Sequence, residues 1–201
     1  MPTRHVSRRA ARVLMIVRAL IAAVAAIVVT FVQNRPGEFA EAALAGFLAA
    51  MVAYFVAETI VRGAETMRVL LGLVHLAAAV LVFVLPGSAD ARFHLTLLLW
   101  AAAAGIIELV GGLTGRRNGS EAARDHITVG ALTCVLALAS LIVSPEYALD
   151  YFVEDAGQSF TLTGTIVGVG LFGGWAALVA VYLGIGAFSP APTNIATKDA
   201  A

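Results

Sequence analysis

Cysteine is almost absent from this chain of 201 residues: Cys134 stands alone inside an apolar run. A lone cysteine excludes an internal disulfide and any metal site built from several thiolates, and leaves Cys134 as a small packing residue. Charge is scarce too, at 13% against roughly 25% in an average soluble domain. Formal net charge is zero and the basic residues fall in small scattered groups, without the basic stripe that nucleic acid requires. No Gly-x-Ser-x-Gly elbow, Walker loop, His-Glu-x-x-His pair or dinucleotide fingerprint occurs. Nothing in the sequence therefore announces an enzyme or a cofactor.

What fills the chain instead is apolar. Hydrophobic residues make up 60% of it and the mean hydropathy is +0.91. Apolar runs at 13–32, 40–61, 69–85, 93–113, 127–143 and 162–188 are separated by segments holding nearly all the charges and prolines. About 20 apolar residues cross a hydrocarbon core roughly 30 Å thick, so these runs predict six transmembrane spans. They are too long and too uniformly apolar for barrel strands, which predicts an all-α polytopic protein in a lipid bilayer. The basic opening MPTRHVSRRAARVL resembles a secretory signal. The apolar run that follows exceeds the usual 7–15 residues and has five successors, which favours a retained helix.

Orientation follows from the arginines. An N-terminus inside places Arg4, Arg8, Arg9, Arg12, Arg18, Arg62, Arg68, Arg116, Arg117, Arg124 and Lys198 at or near the cytoplasmic face, leaving Arg35 and Arg92 outside. The outer face collects Glu146, Asp150, Glu154 and Asp155 in one connection. That connection reads as a solvated acidic loop whose Tyr147, Tyr151, Phe152 and Phe160 lie on the membrane interface. Residues 1–12 are expected to be a basic cytoplasmic N-terminus, and 189–201, rich in Pro and Ala, a disordered cytoplasmic tail.

A shift of 50 residues without a gap aligns Arg18 with Arg68, Pro36-Gly37 with Pro86-Gly87, and Glu58 with Glu108. Each unit is one helical hairpin with an outer Pro-Gly turn, and Pro145 marks a third, diverged one. Three hairpins in the same orientation form a parallel repeat, unlike the inverted repeats common in secondary transporters.

Within a hairpin the two helices run antiparallel, so Arg18 is expected to meet Glu58, and Arg68 to meet Glu108. A bare intramembrane carboxylate is costly unless paired, protonated or wetted. Three roles stand open for these four residues: locking helix packing, relaying protons or ions, or snorkelling to the interface. His75, two turns deeper than Arg68, is a candidate pH sensor or a packed hydrogen-bonded histidine. His75, His94 and His126 occupy different depths, so no heme or metal site is expected. Gly164, Gly168, Gly170 and Gly174 contain two Gly-x-x-x-Gly spacings, suited to packing within the monomer or to a homo-oligomer through the sixth helix. Trp100 and Trp175 read as packing residues or interfacial anchors.

The stretch LLLWAAAAGIIELVGGLTGRR and the helix ending LASLIVSPE resemble the HdeD-like (DUF308) family of bacterial membrane proteins, over roughly residues 18–188. The first hairpin departs from that pattern in lacking the Trp, and the third in lacking the Glu. The resemblance implies a six-helix inner-membrane protein without catalysis, tied to acid-stress resistance. The Ala- and Arg-rich, lysine-poor composition is what a high-GC bacterial genome encodes. Two functions follow as expectations: a non-enzymatic protein supporting acid or envelope stress tolerance, or a small proton-coupled carrier using Glu58, Glu108 and His75.

Overall fold

The computed structural model describes residues 8–32, 36–120 and 122–189. Among these residues the chain forms six α-helices: α1 (Arg8–Phe31), α2 (Gly37–Arg62), α3 (Thr66–Val84), α4 (Ala89–Arg117), α5 (Ala123–Ile142) and α6 (Gly164–Phe188). All six are long and apolar enough to cross a membrane. The protein is thus an all-α, multi-pass membrane protein. Arg35, Lys198, the first seven residues and the tail from 190 onward lie outside the described residues.

Most helices run past the apolar stretches that mark them. α1 begins five residues before Val13 and α4 continues four residues beyond Leu113, because hydropathy marks the hydrocarbon layer while the helix continues into the headgroup region. Gly63, at φ +90°, turns α2 into α3 in a conformation that a Cβ would strain, and Gly87, at φ +118°, does so between α3 and α4. Ser88 and Thr163 cap α4 and α6 by accepting from the amides of Ala91 and Ile166.

One connection departs from expectation. The acidic segment between α5 and α6 is an antiparallel hairpin of β1 (Ala148–Val153) and β2 (Gln158–Thr163), joined by one 3₁₀ turn. Alternation explains it: Leu149, Tyr151 and Val153 share a face with Leu162 and Phe160, and Asp150, Thr161 and Ser159 share the other. Tyr151 stacks on Phe160 at 6.0 Å, and Thr161 donates to Asp150 at 2.5 Å. Leu162 and Thr163 consequently belong to β2 and not to the last span.

The bundle has threefold logic. The second helices of the three repeats, α2, α4 and α6, touch one another at the centre, and α3, α5 and α1 fill the grooves between them. Half of α4's most apolar stretch is buried, against 28% of those of α1 and α3. The inner helices meet at an aromatic cluster: Phe47 of α2 lies edge-on to Trp100 of α4 and to Phe172 and Trp175 of α6, with centroids 5.4–5.5 Å apart. Trp100 and Trp175 are therefore core residues and not interfacial anchors.

The hairpin of the sequence repeat is not the closest-packed pair. Each outer helix leans most heavily on the inner helix of the preceding unit: α3 on α2, α5 on α4, and α1 on α6. Glycine sets this for α5, since a Cβ on Gly105 would lie 2.8 Å from the Cys134 amide, one on Gly112 2.7 Å from that of Ile127, and one on Gly130 2.8 Å from Leu109 Cα. For α1 it is Gly173, where a Cβ would lie 2.6 Å from Val29. α1 and α2 instead flank an open apolar groove of about 450 Å³, lined by Val17, Ile21, Ala25, Ala42, Gly46 and Ala50 among others.

The four glycines of the two Gly-x-x-x-Gly spacings in α6 divide accordingly. Gly164 and Gly168 face Ser144, Phe93 and His94 so closely that a side chain would collide or crowd, whereas Gly170 and Gly174 face open space. Packing within the monomer thus holds for the first pair and fails for the second, which points away from the other helices.

Candidate functional site: a charged bundle end

Arg18, Glu58, Arg68 and Glu108 all lie at the end where α1, α3 and α5 begin and α2, α4 and α6 finish, and all four are buried. Their pairing is exchanged relative to expectation. Arg18 donates through both guanidinium nitrogens to the two carboxylate oxygens of Glu108, at 2.6 and 2.8 Å. Glu58 accepts from Arg62 at 3.0 Å and faces Arg68 Nε at 3.5 Å. Among the described residues no ion pair joins Arg18 to Glu58 or Arg68 to Glu108.

Helix order gives the reason. Arg68 belongs to α3, which leans on α2, so it meets the glutamate of the preceding unit. By the same rule Arg18 of α1 belongs against α6, but α6 contains no acidic residue. Its guanidinium therefore crosses the centre of the bundle to Glu108 of α4. The missing glutamate of the third repeat thus decides where Arg18 goes.

His126 was not expected here. From the first turn of α5 its Nδ1 donates to Glu108 Oε1 at 2.9 Å, making a three-membered cluster with Arg18. Depth along the sequence hid the contact, because His126 lies nearer its helix start than Glu108 lies to the end of α4. The readable signal was the glycine pattern of α4 and α5, which brings the two backbones together. Arg68 is further held by Glu65 at 2.9 Å and by the Gly63 carbonyl, and Tyr182 donates to Asp125 at 3.1 Å.

A polar vestibule of about 180 Å³ opens at this end, lined by Arg18, Tyr54, Glu58, Arg62, Asp125 and His126 with apolar residues of α1 and α6. Beneath it, on the other side of Arg18, lies a far smaller cavity bordered by Glu108, His75 and Trp100. His75 Nδ1 donates to the Leu71 carbonyl at 2.7 Å, and its ring packs against Phe55 and Trp100 at 5.1 and 5.6 Å.

The opposite end carries its own tie, which sequence reading missed. Buried Glu41 of α2 accepts from Arg92 of α4 through Nε and, at 3.1 Å, through Nη2. His94 links α4 to α6: Nδ1 faces the Asp90 carbonyl at 2.9 Å and Nε2 the Gly164 carbonyl at 3.2 Å. A neutral imidazole can donate to only one of them. Thr165 of α6 also donates to Asp90.

The comparisons with known proteins add no relative: no family model, no curated protein and no solved structure matches the chain.

Proposed function

We propose that this is a non-enzymatic protein of a bacterial cytoplasmic membrane that supports acid or envelope stress tolerance through its packed helices and their partners. One observation carries the reading. Glu108, the carboxylate a proton carrier would need to free, is bonded twice by Arg18 and once by His126, and so acts as the tie between α1, α4 and α5. A buried ion pair adds little net stability, yet removing one partner costs about 3–5 kcal/mol because the other is stranded. The acid-stress part rests on the resemblance of LLLWAAAAGIIELVGGLTGRR to the HdeD-like family. The excess of arginine at the charged end supports an orientation with that end, and both ends of the bundle's chain, in the cytoplasm.

A second reading, a small proton-coupled carrier using Glu58, Glu108 and His75, is favoured by one feature: Glu108 and His75 border the same cavity next to the vestibule. Proton flux into liposomes separates the two. Wild type is compared with Glu58→Gln/Glu108→Gln at outer pH from about 4 to 7, where carboxylates and histidine titrate, after both proteins are confirmed folded. The first reading expects no flux in either protein, and a Glu108→Gln variant that loses folded yield. Flux in wild type that vanishes in a folded variant overturns it in favour of the carrier.

A further inference from the structure

Trp100 is 2% exposed in the middle of α4, and its indole Nε1–H has no acceptor among the described residues. An indole N–H can only donate, and a buried donor left unpaired costs about 1–3 kcal/mol. Its neighbour Trp175 illustrates the satisfied arrangement: Nε1 donates to Thr133 Oγ1 at 3.1 Å, and Thr133 passes its own hydrogen to the Val129 carbonyl. Trp100 instead borders the small inner cavity, which Trp175, Thr133, His75, Arg18 and Glu108 also line.

His75 contributes the complementary group. With Nδ1 donating to the Leu71 carbonyl, the neutral ring carries its lone pair on Nε2, on the side turned away from the α3 backbone. Among the described residues nothing donates to that nitrogen. One wall thus offers a donor without an acceptor, and another an acceptor without a donor. The cavity admits the centre of a water molecule over about 10 Å³, the volume a single water needs, and its polar lining supplies more than the two partners such a water requires.

We propose that this cavity is a binding site for one water molecule, which accepts from Trp100 Nε1–H and donates to His75 Nε2. The chemistry is selective. Ammonium and hydronium offer the indole no useful lone pair, and a monatomic anion such as chloride has no hydrogen for His75. The second hydrogen of the water is directed to the Glu108 carboxylate, so His75 joins the Arg18–Glu108–His126 cluster through one bridging molecule. Trp100 itself is packed edge-on against Phe47 and Trp175, and Phe47 in turn against Phe172. The site stands whether or not the proposed stress role does.

The test is water-to-protein polarisation transfer by solid-state NMR on the full chain in lipid bilayers, with ¹⁵N in tryptophan, histidine, leucine and valine. The Trp100 indole signal is assigned by its loss in Trp100→Phe. The site expects transfer to Trp100 Nε1–H several-fold faster than to the amides of Leu97 and Val82, which are fully buried. It also expects His75 with a protonated Nδ1 and a bare, hydrogen-bonded Nε2. Transfer no faster than to Leu97, or a proton on Nε2 of the neutral ring, overturns it. Ala104 lines the same cavity, so Ala104→Val supplies a second check by taking up the space. Trp100 transfer should then fall to the Leu97 level, with Ala22→Val from the α1 side replacing it if that variant does not fold. Undiminished transfer in a folded variant also overturns the site.

Discussion

Arg18 and Glu108 lie 90 residues apart in the chain and form a two-pronged ion pair through the middle of the bundle, at 2.6 and 2.8 Å. The pair ties an outer helix to an inner helix that is not the outer helix's main support, so its contribution differs from that of a surface bridge. Removal of either member leaves the other buried without its main counter-charge: among the described residues Glu108 keeps only His126, and Arg18 keeps no ion pair.

Single replacement of either member, Arg18→Met or Glu108→Leu, should each cost about 3–5 kcal/mol of unfolding free energy, measured by titration with denaturing detergent in mixed micelles. The double variant should cost clearly less than the sum of the two, because no charge is then left alone. Additive costs would mean that the pair does not act as a unit.

The crossed pairing sets the limit of what the sequence conveyed. Six spans were legible because length and hydropathy identify them, and the 50-residue repeat placed the arginines and glutamates at a common level. Partner choice depends on which face each helix turns inward and on the order of helices around the centre, and neither leaves a mark in hydropathy. The empty position in α6 was visible as a departure of the third repeat, but its effect on Arg18 appears only once α1 is packed against α6. Glu41–Arg92 escapes the sequence reading because Arg92 counts there only as an outer-side charge, and Glu41, which has no counterpart under the 50-residue shift, is not singled out. The hairpin of 148–163 reads as a loop by its acidic residues, although Leu149, Tyr151, Phe160 and Leu162 already carry a period of two.

Glycine substitutions should separate helix contacts from bilayer-facing surface. Gly130→Ala, which puts a methyl group into the α4 backbone, should destabilise by about 1–3 kcal/mol, as overpacking does. Gly174→Ala, facing open space, should be neutral or slightly stabilising through helix propensity. Thermal unfolding in detergent compares the two directly.

The β-hairpin should rest its apolar face on the membrane. With Cys134→Ser as background, spin labels at positions 149, 151 and 160 should be relaxed more by oxygen than by a water-soluble nickel chelate, and labels at 150 and 159 the reverse. Loss of this alternation would place the hairpin in water on both sides.

Orientation can be checked in the same background. A membrane-impermeant thiol reagent added outside cells should modify Ser159→Cys in the hairpin and spare Ser120→Cys in the α4–α5 connection until the membrane is opened. The opposite pattern would reverse the protein in the membrane and with it the cytoplasmic assignment of the charged vestibule.

The long reach of Arg18 also imposes an order of assembly. A ribosome adding about 5–20 residues per second takes roughly 5–20 s to make the 90 residues between Arg18 and Glu108. During that interval the first helix has neither its counter-charge nor α6, the helix on which it chiefly leans. Of the six described spans, the first made is therefore the last to be fastened, and the nascent chain must hold its arginine at the lipid headgroups until the fourth of them arrives.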